Sequence, residues 1–188
     1  MLSSVSKFIL ILLGWKLVGE LPKEKKYVAI IAPHTSNWDF FFFLLVKWIY
    51  KLKVVFIGKH TLFIGPIGWA LRKIGGIPVD RTSAHNMVDI IVDEFNKREE
   101  MVFGLSPEGT RSYLDHWKSG FYYIAKKANV PIKMAFLDTR NKTIGWGPLF
   151  YPSEDKYEDL KIIKEFFSDK KGFRPEKFSK ITFRNNDK

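Results

Sequence analysis

A histidine and an aspartate stand five positions apart in "APHTSNWDFFFFLL", residues 32–45, directly ahead of four phenylalanines. A carboxylate on one imidazole nitrogen fixes the tautomer and stabilises the imidazolium. The other nitrogen can then take a proton from a hydroxyl, general-base chemistry that contributes about 10²- to 10⁴-fold. Spacing decides whether His34 and Asp39 can meet. In a continuous helix, five residues rotate about 500° and leave the two side chains about 140° apart. With His34 in a loop and Asp39 in the first helical turn, the chain can bend back and bring them together. Pro33 keeps Ala32 extended, and Ser36 or Asn37 can cap the helix, so the residues favour loop plus turn. A plainer alternative stays open at this level: His34 bonded to backbone and Asp39 serving as a cap.

A second polar cluster is "LSPEGTRS", residues 105–112. It sets a carboxylate, hydroxyls and an arginine around a glycine just after an apolar run. Backbone N–H groups at such a turn favour anions, and an arginine beside them can grip a phosphate with two bonds. Ser106 does not make a nucleophile elbow. That motif is G-x-S-x-G, whereas "GLSPEG" has its second glycine one place late and a proline after the serine. A third candidate, Arg81, ends "GGIPVDR", residues 75–81. The remaining histidines, His60, His85 and His116, are scattered, with no H-x3-H pair or carboxylate cluster, so no metal is implied.

The chain around these residues has 188 amino acids, enough for one domain with a real core. A net charge of +11 points to a polyanionic partner: nucleic acid, an anionic membrane surface or a phosphorylated substrate. No aromatic–basic stacking signature of a nucleic-acid module is present, which argues against nucleic acid. Cysteine is absent, which excludes disulfides, thiolate metal sites and a cysteine nucleophile. The first stretch, "MLSSVSKFILILLGWKLVGELP", has an apolar run too short to span a bilayer and lacks a small-residue cleavage site. It is expected to be an amphipathic membrane-interface helix over residues 1–22, with Lys7 and Lys16 near the headgroups; a core helix packed on the domain is the alternative.

Short apolar runs at 27–32, 53–57, 77–79, 101–105, 131–137 and 143–150 predict strands. Helices are predicted over 38–50, ahead of the Gly75–Gly76 pair, and over 83–98, 117–128 and 154–168. This alternation predicts a single α/β domain, a mainly parallel mixed sheet flanked by helices, with the N-terminal interfacial helix outside it. The expected organisation is 1–22 interfacial helix, 23–170 main domain and 171–188 a basic C-terminal tail, frayed or surface-bound.

Four blocks in order, "HTSNWD", "GIPVDR", "SPEGTRS" and "VPI", are similar to those of the phospholipid and glycerol acyltransferase family, whose best-known members are lysophosphatidic acid acyltransferases. The resemblance covers about residues 27 to 137. It implies His34 as catalytic base and Asp39 as its orienting carboxylate. Ser36, Arg81, Glu108, Gly109, Thr110 and Arg111 fall on substrate-binding positions, and Pro131 on a supporting block. It further implies acyl transfer from acyl-CoA or acyl carrier protein, as co-substrate and without a cofactor, to a lysophospholipid hydroxyl. The foremost acceptor is 1-acyl-glycerol-3-phosphate, giving phosphatidic acid. Acylation of another acceptor, a lyso-aminolipid or glycerol phosphate, or a noncatalytic basic membrane-binding module are the alternatives. The location expected is peripheral or monotopic, on the cytoplasmic face of a membrane. Pro33 stands where the family often has asparagine, and Ser106 where it often has an aromatic. Residues Phe40 to Leu45 are expected to line an acyl-chain groove or a membrane-facing wall, with at least half of the phenylalanines serving as helix core.

Overall fold

The structure, a computed structural model, describes residues 2–79 and 84–184. Strands β1 (Lys16–Val18), β2 (Lys26–Ala32), β3 (Val54–Lys59), β4 (Gly76–Val79), β5 (Met101–Leu105), β6 (Ile132–Asp138) and β7 (Thr143–Phe150) form one sheet in the order β1-β7-β6-β2-β5-β3-β4. Every neighbouring pair is parallel except β6 with β7. The helices are α1 (Leu2–Leu12), α2 (Trp38–Ile49), α3 (Gly65–Lys73), α4 (Ala84–Lys97), α5 (Gly120–Ala128) and α6 (Lys156–Phe167). The mainly parallel α/β sheet is the one the alternation predicts.

Helices cover both faces, so the central strands read as continuous apolar runs rather than alternating ones. All seven residues of β6 are buried. On one face, Ile91 and Phe95 of α4, Phe121 and Ile124 of α5, and Ile163 and Phe167 of α6 close over Val28, Ile30, Phe103 and Met134. On the other, Leu10 of α1 and Phe42, Leu45 and Val46 of α2 pack with Leu137 and Ile144. Burying an aliphatic or phenyl side chain of this kind stabilises by about 1.5–3 kcal/mol.

Three expectations change. The helix expected over 1–22 stops at Leu12. Gly14 takes φ +74° and turns the chain, and Lys16–Val18 become an edge strand parallel to β7. Trp15 is buried, with its ring 4.4 Å from that of Phe42, and does not flank an interfacial helix. The helix expected over 117–128 begins at Gly120, because the Trp117 N–H donates to the Thr182 carbonyl at 2.8 Å. The segment expected as a frayed tail is packed as far as it is described. Phe173 stacks on Phe42, Phe183 is buried in the core beside Phe121, and Thr139 donates through its hydroxyl to the carbonyls of Lys171 and Gly172 at 3.0 Å each. Residues 185–188 of that tail lie outside the described residues.

Candidate active site

The chain runs from β2 through α2 to β3, and from β5 through α5 to β6, in opposite directions across the sheet. Strands β2 and β5 are parallel neighbours, Ile30 beside Leu105. Their carboxyl ends therefore open a crevice where the connections diverge, the place open α/β sheets use for ligands. The chain leaving β2 delivers His34 there. The chain leaving β5 delivers residues 106–111.

His34 and Asp39 do meet. Nδ1 of His34 lies 3.1 Å from Oδ2 of Asp39, which is almost wholly buried. The same oxygen accepts the backbone N–H groups of Thr35 and Ser36, each at 2.8 Å. Helix α2 starts after Asn37, so His34 is in the loop and Asp39 in the first turn. The loop is wrapped around the carboxylate that receives it. A carboxylate oxygen only accepts, so Nδ1 carries the hydrogen and Nε2 is left as the base. His34 lines a cavity of about 810 Å³ at the strand ends.

Ser36 contributes to this turn as well: its Oγ accepts the Trp38 N–H at 3.3 Å. Asn37 occupies the cap position without a side-chain cap bond; its Oδ1 accepts from Nη1 of Arg111 instead. That bond ties the loop after β5 to the start of α2. Gly109, Thr110 and Arg111 line the cavity beside His34, and Thr110 Oγ1 accepts the Ser112 N–H at 3.2 Å. Gly109 sits at φ +64°, where a side chain would be strained, and a Cβ there would press on Lys118 at 3.0 Å.

Glu108 is not among the residues facing the cavity. It is fully buried, and its two oxygens hold backbone: Oε1 accepts the His34 N–H at 2.6 Å and Oε2 accepts the Ser179 N–H at 3.2 Å. Desolvation by burial pushes its carboxyl up to about 7, with the two amide bonds pulling the other way. The expected contact of Glu108 with substrate is thus corrected to a strut under the His34 loop. Arg81 lies outside the described residues. Pro131 leads into β6, its carbonyl accepting the Val28 N–H at 2.9 Å.

Ser106 Oγ is buried with no hydrogen-bond partner, so His34 and Ser106 do not form a nucleophile–base pair. Of the phenylalanines after Asp39, Phe40 lines the cavity and Phe42 is core. The apolar wall of Phe56, Leu62 and Phe63 carries no signal in the sequence that marks it as part of the site. Among the described residues no group of three or more His, Asp or Glu side chains could hold a metal ion. The arrangement as it stands can take a proton from a hydroxyl, hold an anion near Arg111, and shelter an apolar chain.

The model of the family described as Acyltransferase matches residues 17–133, more than half of the chain. A chloroplastic 1-acyl-sn-glycerol-3-phosphate acyltransferase of Brassica napus is 34% identical over 118 residues, 60% of this chain and 33% of that protein. The 1-acyl-sn-glycerol-3-phosphate acyltransferase of Escherichia coli is 32% identical over 124 residues, 61% of this chain and 48% of that protein. The matched region is thus half or less of either relative's length. In fold, the chain is similar to the crystal structure of the 1-acyl-sn-glycerophosphate acyltransferase PlsC from Thermotoga maritima. The TM-score is 0.61 at 18% identity, covering 88% of this chain and 74% of that one.

Proposed function

The chain belongs to the Acyltransferase family, and from that membership we propose that it acylates a lysophospholipid, 1-acyl-glycerol-3-phosphate, to phosphatidic acid. The observation that carries the proposal is the His34–Asp39 pair, 3.1 Å apart at the wall of a cavity lined by both Arg111 and Phe40.

In this reading the acceptor enters with its hydroxyl at His34 and its phosphate at Arg111, with Arg81 as the second phosphate contact. Nε2 of His34 takes the hydroxyl proton as the oxygen attacks the carbonyl carbon of an acyl thioester. The new C–O bond forms, the C–S bond breaks, and the thiolate of coenzyme A or acyl carrier protein leaves and recovers the proton from the imidazolium. Asp39 stabilises that imidazolium and keeps the ring in one tautomer. No covalent acyl-enzyme is needed, in keeping with the absence of cysteine and the unpaired Ser106. The Phe40, Phe56 and Leu62 wall takes acyl chain.

We propose peripheral attachment to the cytoplasmic face of a membrane through α1, whose Leu2, Val5, Phe8, Ile11 and Leu12 are exposed on one side while Leu10 packs inward. Among the described residues no helix is long and apolar enough to cross a membrane.

The test is purified protein with labelled acyl-CoA and a panel of lysolipids, against His34→Ala. The expected result is acylation of 1-acyl-glycerol-3-phosphate, with turnover falling about 10²- to 10⁴-fold in the variant and vesicle binding retained. Equal turnover in the two proteins, or none on any acceptor, overturns the proposal.

A further inference from the structure

A second apolar surface lies away from α1. The turn His60–Leu62 and helix α3 present Ile64, Ile67 and Trp69 to solvent at 73%, 69% and 61% exposure, with Leu62 beside them. Four large apolar side chains within eight positions are more than a soluble surface ordinarily leaves bare. Nothing in the core asks for them: α3 is anchored from its other side, where Gly68 sits against the Phe63 backbone.

Charge identifies what would cover this surface. Residues 40–79 contain no Asp or Glu, while Lys59, Arg72 and Lys73 rim the patch and are exposed. The Lys73 ammonium lies 4.4 Å over the Trp69 ring. A tryptophan buried at the headgroup level under a lysine that reaches back to water is the pairing an anionic bilayer favours. An acid-free rim of this kind repels another copy of a chain carrying +11.

Position supplies the second argument. The connections β2–α2–β3 and β3–α3–β4 advance across the sheet in the same direction. Right-handed crossovers therefore place α2 and α3 on one face. Helix α1 packs on α2, so α1 and α3 belong to the same side of the molecule. Between them, exposed Trp38 and Phe40 open the first turn of α2, and Phe40 and Leu62 both line the His34 cavity.

We propose that the Leu62–Trp69 surface is a second membrane-docking site, seated on an anionic bilayer, which together with α1 sets the mouth of the His34 cavity against the lipid. The proposal rests on the lipid-acyltransfer reading for its purpose, but vesicle binding decides it and turnover serves only to separate the two.

The measurement is partition onto phosphatidylcholine–phosphatidylglycerol vesicles, with wild type, Phe8→Ser in α1, and Ile64→Ser/Ile67→Ser/Trp69→Ser together. Ile64, just ahead of α3, and Ile67 and Trp69 within it are exposed, so the fold should survive their loss. Expected are at least about tenfold weaker partition of the triple variant, weakening of wild-type binding at high salt, and quenching by brominated lipid that Trp69→Phe loses in part. If the triple variant fails to fold, the Trp69→Phe quenching comparison decides alone. Unchanged partition with no Trp69 quenching overturns the proposal and leaves α1 standing. A wild-type dimer that the triple variant dissolves, with no lipid effect, overturns it in favour of a second copy. Loss of acyl transfer to detergent-dispersed acceptor with vesicle binding intact would strike the proposed function and leave this site in place.

Discussion

Glu108 holds His34 by its backbone: the histidine N–H donates to the carboxylate at 2.6 Å, and the other oxygen is held by the N–H of Ser179. The residue proposed as base therefore hangs from a buried acid that does not line the cavity. Burial raises the carboxyl of Glu108 from the ordinary 4.5 to about 7. In this window the folded protein binds the proton more tightly than the unfolded chain. Stability from this group is therefore complete below about pH 4.5 and is lost as pH rises through about 7. The loss is about 1.4 kcal/mol per pH unit at most. Thermal melts across that range should show wild type losing stability with rising pH relative to Glu108→Gln, which has no carboxyl to ionise. Parallel melting curves for the two proteins would contradict the assignment.

Asp39 tests the tautomer argument. In Asp39→Asn the amide oxygen can occupy the Oδ2 position and still accept from Thr35 and Ser36, while the NH₂ falls where Oδ1 is buried without a partner. Loop geometry should survive at a cost of about 1–3 kcal/mol. The charge that stabilises the imidazolium is gone. Turnover is expected to fall about 10²- to 10⁴-fold with little change in KM. A variant that keeps its wild-type rate would place the proton acceptor elsewhere.

Gly172 tests whether the C-terminal segment positions the base. A Cβ at this residue would lie 2.5 Å from Thr35 Oγ1 and 3.0 Å from Pro33 Cβ, the residues on either side of His34. Thr35 Oγ1 is in addition the acceptor for the Arg174 N–H at 3.1 Å. Gly172→Ala must therefore push the His34 loop or the segment itself. A displacement near 1 Å costs up to about 10²-fold in rate. The expected signature is a lower kcat with KM held, and a partial recovery in Gly172→Ala/Thr35→Ser, which removes the Thr35 methyl group that the same Cβ would meet at 3.2 Å. A fall in thermal stability with kcat untouched would reduce the segment to packing alone.

The sheet was legible in the sequence because parallel strands buried on both faces leave short unbroken apolar runs, and because Gly and Pro punctuate the turns between them. Strand β1 was not. Three residues, Lys16–Val18, carry no pattern of their own and are strands only because β7 pairs with them. The packing of the segment after residue 170 is hidden for a related reason: Phe173, Phe178 and Phe183 recur every five residues among lysines, a period that fits neither helix nor strand, and what anchors them is tertiary. In the site, the His34–Asp39 contact followed from spacing, since only loop plus turn lets residues five apart touch. The place of Glu108 did not follow, because a loop side chain turns toward whatever lies behind it. Here that is Ser179, seventy-one positions away.

Arg111 carries the acceptor's charge in the proposed function, and its guanidinium already has one engagement, Nη1 to Asn37 Oδ1. A planar fork can keep that bond and still meet a phosphate with further N–H groups, whereas a lysine offers a single point charge without the bidentate geometry. Charge-assisted bonds of this sort contribute about 1.5–3 kcal/mol, a factor of about ten to a hundred. Arg111→Lys should raise KM for 1-acyl-glycerol-3-phosphate by about tenfold and Arg111→Ala by more, with kcat changing less. A neutral monoacylglycerol offered to the same proteins should show no such difference, since it brings no phosphate to lose. Asn37→Ala separates the two tasks of the arginine: it breaks the tie to α2 and leaves the guanidinium free, so KM should hold if phosphate contact is what counts. Equal KM increases for charged and neutral acceptors in Arg111→Ala would show that the arginine braces the loop after β5 and does not read the headgroup.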